Sequence, residues 1–153
     1  MRPGRAVDEE EIRWITDAVF SVFGEYGSWL PGYLTHPGVW TFVYLEEGEV
    51  LGFSMLGMLE PEAGGRQRLG DLLAIAVSPD HQGHGIGTRL LEETTARARV
   101  LKKVVGLAEV RLTVAEPNEG ARRLFERFHF QPLEGDHGHY DKGQRALRLR
   151  LKL

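Results

Sequence analysis

LLAIAVSPDHQGHGIGTRLLEE, residues 72–93, passes from a strand through a loop into a helix. Leu72–Val77 is a short apolar run of the kind buried in a sheet, and Ser78-Pro79 breaks it. Gly83, Gly85 and Gly87 follow, where a backbone without Cβ atoms can approach a ligand closely. Ile86, Leu90, Leu91, Thr94, Ala98 and Leu101 then share one face at helical spacing, while Glu92, Glu93, Arg97 and Arg99 lie away from it. Such an order offers backbone N–H groups and the positive end of a helix dipole to an anion. The expected guest is a pyrophosphate.

Spacing separates the readings of this loop. A P-loop ends Gly-Lys-Ser/Thr, and here Gly85 is followed by Ile86 and Gly87, so no lysine reaches a phosphate. A dinucleotide fingerprint needs Gly-x-Gly-x-x-Gly tight against its strand, yet Gly83-x-Gly85 leads to Thr88, and Ser78 to Gln82 hold the loop away from Val77. A plain turn joining strand to helix would need no ligand. The pattern that remains, Gln82-x-x-Gly85-x-Gly87 preceded by Val77-x-Pro79, resembles the acetyl-CoA-binding signature of the GCN5-related N-acetyltransferase (GNAT) family.

The rest of the chain arranges itself around the loop. Asp8 is placed as an N-cap ahead of Glu9, Glu10 and Glu11, with Ile12, Ile15, Val19 and Val22 along one face of a first helix. VWTFVYL and VLGFSMLGML read as two strands joined at Glu46-Glu47-Gly48-Glu49, and a loop with Pro61, Gly64 and Gly65 leads to the strand ending at Val77. Val110, Leu112 and Val114 alternate with Arg111 and Thr113 as in a strand with one covered face. Asn118 caps a helix with an apolar stripe of Ala121, Leu124, Phe125 and Phe128. Leu147, Leu149, Leu151 and Leu153 alternate with Arg148, Arg150 and Lys152 in a last strand. The sequence predicts one α/β domain over residues 1–153, without internal repeats.

Composition narrows the class. The chain has no cysteine, which excludes disulfides, cysteine-ligated zinc and an acyl-cysteine intermediate. It has no run apolar enough to span a membrane, and MRPGRAVDEEE lacks the apolar core of a signal peptide, so the expectation is a soluble cytoplasmic protein with no membrane partner. The net charge of −3 divides unevenly: residues 1–80 carry 5 Lys/Arg and 13 Asp/Glu, residues 81–153 carry 14 and 9. A basic second half suits a polyanionic cofactor, and an acidic first half suits a cationic amine. No aromatic-interleaved basic tract marks a nucleic-acid ligand. His81 with His84 and His137 with His139 lack the carboxylate or cysteine company of a zinc site, so no metal is expected.

The family resemblance extends over nearly the whole chain. VRLTVAEPNEGARRLFERFHF, residues 110–130, is similar to the family's second conserved block, and RPGRAVDEEEI to a common family start. His139-Tyr140-Asp141-Lys142-Gly143 before Gln144-Arg145-Ala146-Leu147 resembles the hairpin of members that act on protein or peptide amines. The resemblance implies a mixed central sheet of six to seven strands flanked by about four helices, with the fourth and fifth strands splayed around the pantetheine arm of acetyl-CoA. Ala76 and Val77 would then offer backbone groups to pantetheine, and Gln82, Gly83, His84, Gly85, Ile86 and Gly87 would surround the pyrophosphate. Asn118 would stand beside the pantetheine arm, or serve as a helix cap alone.

Acetyl transfer to an amine needs a base and a departing thiolate. Asp71 matches a glutamate that some members place on the fourth strand, and burial would raise its pKa. Being shorter than Glu, it would work through a water. Thr113 stands where other members have a carboxylate on the fifth strand, with Glu116 nearby. Many members have a tyrosine acid where this chain has Phe125, which cannot donate a proton and would pack against the acetyl end of the cofactor. The thiolate then leaves unassisted, or Tyr140 reaches in as donor. Trp29, Tyr33 and His139 are the candidate acceptor contacts, Trp40 being a further aromatic of that region. The expected activity is direct acetyl transfer in a ternary complex, by a monomer or homodimer, to a small-molecule or peptide amine with a peptide α-amine favoured. The alternatives are an acyl-CoA-binding module without catalysis and a purely structural domain.

Overall fold

Alternation of apolar and polar residues builds the strands, and the longest apolar run lies at the sheet centre. The computed structural model describes residues 1–61, 65 and 67–153; Gly64 of the expected loop lies outside them. In chain order the regular elements are β1 (Arg2–Pro3), α1 (Glu9–Phe20), β2 (Val39–Glu46), β3 (Glu49–Leu59), β4 (Arg68–Val77), α2 (Ile86–Val105), β5 (Leu107–Ala115), α3 (Glu119–Arg127), β6 (Gln131–Pro132) and β7 (Ala146–Lys152). Short 3-10 segments add Ala6–Asp8, Tyr26–Ser28, Leu30–Thr35 and Pro79–His81. The longest of these, with the three α-helices, supplies the expected flanking helices.

The seven strands form one sheet in the order β1-β2-β3-β4-β5-β7-β6. Glu47 and Gly48 both have positive φ, the conformation that joins β2 to β3 in a two-residue hairpin. Among the described residues only β4 and β5 run parallel, with α2 as the crossover that a parallel pair requires. Their pairing stops at Asp71 and Arg111, after which β4 runs on to Val77 and β5 to Ala115 unpaired with each other. The sheet therefore splays at its centre.

Two apolar layers hold the sheet. Leu91, Ala98 and Leu101 of α2 and Phe125 of α3 pack with Leu107, Leu112 and Leu151 on one face. Ile12 and Ile15 of α1 pack with Leu30, Phe53 and Ala74 on the other. Side chains such as Leu91 and Leu112, at most 1% exposed, contribute about 1.5–3 kcal/mol each. Thr94, placed on the buried face of α2 by its spacing, satisfies its hydroxyl with the Leu90 carbonyl at 2.8 Å and Ser54 Oγ at 2.7 Å.

Two local expectations fail for tertiary reasons. Asp8 precedes α1 but does not cap it; its carboxylate turns back to accept from both terminal nitrogens of Arg2 at 2.8 and 2.9 Å and from Arg5 N at 2.7 Å. The Arg2 partnership holds the Asp8 carboxyl below its usual pKa despite burial. Val22 lies beyond the end of α1 and is exposed, because the chain leaves the helix at Phe20 to begin the wall of a cavity.

Candidate active site

The N-terminus of α2 is built to be open. Gly85 is its N-cap at φ +82°, no side chain caps the first turn, and Gly83 has φ +80°. A Cβ at Gly83 or Gly85 would meet no protein atom within 4 Å, so these glycines keep the backbone left-handed and the space before it clear. The first-turn N–H groups of a helix have no intrahelical partner, and here they are left for a ligand. Gly87 differs: a Cβ there would sit 3.4 Å from Leu124, so it brings α2 against α3.

Ala76, Val77, Gln82, Gly83, Gly85, Ile86, Gly87 and Asn118 border one cavity of about 540 Å³. Gln82 Nε2 donates to the Val77 carbonyl at 3.0 Å, clamping the turn between strand and loop. Asn118 Oδ1 accepts from Ala121 N at 3.3 Å, so the cap is real and coexists with a place on the cavity wall. His84 is exposed, its Nδ1 3.2 Å from the His81 carbonyl, and stays off that wall, whereas His81 borders it. Sequence reasoning missed Arg123 and Arg127, which bring two cations to this cavity from α3. Arg127 also donates to Thr88 Oγ1 at 3.2 Å, tying α3 to the start of α2. The signal was present as a basic pair at i, i+4, on a helix read only for its apolar stripe.

A second cavity, of about 290 Å³, continues the first, the two sharing Ile75, Asn118 and Ala121. It occupies the splay, and its walls bring together Asp71, Thr113, Phe125, Tyr140 and Trp29. Asp71 is the last residue of β4 paired with β5, and burial raises its pKa while Arg148 acts in the opposite sense. Burial pushes the Tyr140 phenol far above its ordinary pKa, with Tyr26 adding to the effect. Tyr140 is thus a neutral donor and not a base at physiological pH. Phe125 is 4% exposed and stacks on Phe130 at 5.7 Å, closing the floor.

Aromatic side chains frame the mouth. Tyr140 lies 5.2 Å from the Phe23 ring and 6.4 Å from Tyr26, which lies 5.3 Å from Trp29. Phe20, Phe23 and Tyr26 border the cavity from the end of α1 and the segment leading to Trp29, a region expected to serve the acceptor through Trp29 and Tyr33. The hairpin is fixed by Tyr140 N to the Gln144 carbonyl at 2.8 Å and by Gln144 Nε2 to the Val22 carbonyl at 2.8 Å. Tyr33 stacks edge-on against Trp29 at 6.0 Å without bordering the cavity. His139 is exposed, bridges to Arg145 along the backbone, and lies off the wall as well. Trp40 packs among the core residues instead. Glu116 is engaged by Arg145 at 3.0 Å. Among the described residues no group of three or more His, Cys, Asp or Glu could hold a metal, and no helix is long and apolar enough to cross a membrane.

Known proteins show the same architecture. The ribosomal-protein-alanine N-acetyltransferase of Brucella melitensis superposes with a TM-score of 0.80 at 22% identity, covering 99% of this chain and 98% of that one. Arabidopsis thaliana NAA60, solved with acetyl-CoA, superposes with a TM-score of 0.80 at 17% identity, covering 99% and 97%. By sequence, a mycothiol acetyltransferase of Rhodococcus jostii is 30% identical over 139 residues, which cover 84% of this chain. This chain spans 44% of that protein's length. The acetyltransferase (GNAT) family matches residues 9–130, which include the glycine loop, the splayed strands and Asn118. By that match, over the elements that build the cleft, the chain belongs to the GNAT family of acetyltransferases.

Proposed function

We propose that this acetyltransferase moves the acetyl group of acetyl-CoA directly onto the α-amine of a protein or peptide, within a ternary complex. The observation that carries the reading is the continuity of the cleft, from the uncapped N-terminus of α2 through the splay to Asp71. The fit to the cofactor rests on chemistry at each end. Open N–H groups with Arg123 and Arg127 suit a pyrophosphate, and the unpaired edges of β4 and β5 suit the amides of pantetheine. When bound, acetyl-CoA supplies an acyl group activated as a thioester.

The chain's own residues then manage protons and position. An ammonium has no lone pair, so the acceptor must be deprotonated before its nitrogen bonds the acetyl carbon and the carbon–sulfur bond breaks. At pH 7 that step costs about 4.6 kcal/mol for a lysine of pKa ~10.4 and about 1.4 kcal/mol for an α-amine near ~8. A single short carboxylate working through a water suits the second task. Asp71, ionised above its raised pKa, accepts the proton. A thiol pKa of about 8.5 lets the thiolate leave without full protonation, and the neutral Tyr140 phenol is available to donate a hydrogen bond in the same cavity. Phe20, Phe23 and Tyr26 exclude water around the reacting atoms.

The test is a panel of acceptors incubated with protein and acetyl-CoA: an alanine-initiated peptide, the same peptide N-terminally blocked and carrying a lysine, free amino acids and a polyamine. Mass spectrometry locates the acetyl group. Modification of the free α-amine of the peptide supports the reading; modification confined to lysine or to small amines overturns it.

A further inference from the structure

The sheet face that carries Asp71 is covered by α1 over β3 and β4, and beyond β4 it turns basic. Asp71 stands in register with Arg111 of β5, which stands opposite Arg150 of β7; Thr113 of β5 stands opposite Arg148. Side chains opposite one another on paired strands emerge on the same face. Arg148 and Arg150 therefore share the face from which Asp71 and Thr113 border the acceptor cavity. Arg111 is paired with Glu109 at 2.9 Å, but neither Arg148 nor Arg150 is in an ion pair among the described residues. Among the described residues Arg148 Nε is buried without a hydrogen-bond partner, a state that calls for one. The Arg148 charge is felt at Asp71, which places it within electrostatic reach of the reacting amine.

We propose that the preferred acceptor is an acidic peptide, whose carboxylate side chain at the second or third residue is held by Arg148 and Arg150 while its α-amine meets Asp71. The inference rests on the peptide reading above. Its reach is set by strand spacing: β7 is two strands from β4, roughly 10 Å, which two to three extended residues span. A cationic residue at the same place in the peptide would meet two guanidinium groups, neither of them in an ion pair among the described residues.

The experiment compares kcat/KM for peptides that share an N-terminal alanine and carry Glu, Gln or Lys at the second or third position, with wild type, Arg148→Gln and Arg150→Gln. The expected result is a Glu-over-Gln preference of about tenfold in wild type, Lys being poorest, with the Glu:Gln ratio falling towards unity in both variants. Unchanged acetyl-CoA binding shows that each variant is folded. If Arg148→Gln does not fold, Arg150→Gln and the positional dependence of Glu in wild type decide alone. Peptides acetylated without regard to charge, or a ratio untouched by Arg150→Gln, would overturn this inference and leave the peptide reading standing. No peptide acetylated at all would overturn both.

Discussion

Replacing Gly85 by alanine should weaken cofactor binding by about 10-fold or more at the stability cost of any left-handed glycine, and Gly48→Ala provides the matched control. Both glycines are left-handed, Gly85 at φ +82° and Gly48 at φ +80°, and at both a Cβ would meet no protein atom within 4 Å. The backbone cost is the same for each, about 1–2 kcal/mol for an L side chain in that region. For a chain of this size that lowers Tm by roughly 2–8 °C. The sites differ in what uses the clear space: Gly48 turns a hairpin between β2 and β3, whereas Gly85 fronts the open N–H groups of α2. A methyl group there displaces a phosphate from one charge-assisted hydrogen bond, worth about 1.5–3 kcal/mol, a loss of about 10- to 150-fold in Kd. Calorimetric titration with acetyl-CoA measures the affinity, and thermal melts without ligand measure the shared backbone cost. Wild-type affinity in Gly85→Ala, or an equal loss in Gly48→Ala, would refute the assignment of the loop as a phosphate cradle.

Other expectations follow from charge and burial. Asp71→Asn should lower kcat/KM while leaving acetyl-CoA affinity intact, and should abolish an ascending pH limb whose midpoint in wild type lies above the ordinary aspartate value, because burial raises that pKa. The same raised pKa means that ionised Asp71 opposes folding as pH rises, so Asp71→Asn should be no less stable than wild type at neutral pH in denaturant titrations. Arg123→Gln with Arg127→Gln should weaken acetyl-CoA binding and flatten its dependence on salt concentration, measured by titration at several ionic strengths. Asp8, with a lowered pKa, contributes stability that is present above the ordinary carboxylate pKa and is lost as pH falls below it. Asp8→Asn should remove that acid-side loss from a plot of unfolding free energy against pH.

What the sequence disclosed was whatever local periodicity or backbone need encodes. The glycine loop was readable because left-handed positions at Gly83 and Gly85 demand glycine, and α2 because its six named apolar and small positions all lie buried. The alternation of Leu147, Leu149 and Leu151 places β7 beside β5 for the same reason. β1 and β6, two residues each, are too short to carry a period and exist only because longer strands offer them an edge. Asp8 has the composition of a cap, but Arg2 competes for its carboxylate through a contact that local propensity does not contain. Within the cleft, Asp71, Phe125, Tyr140 and Asn118 were identifiable by their place in family blocks. Phe20, Phe23, Tyr26, Arg123 and Arg127 were not, because their roles depend on which way a helix end or a 3-10 segment turns its side chains in the folded chain.

The splay between β4 and β5 joins the phosphate cradle to Asp71. A calorimetric titration of the purified protein with acetyl-CoA, set beside dephospho-CoA and ATP, tests it most directly. One site of micromolar affinity for acetyl-CoA is expected, with much weaker binding of ATP, which lacks the pantetheine arm. No heat of binding at millimolar acetyl-CoA, or equal binding of ATP, would contradict it.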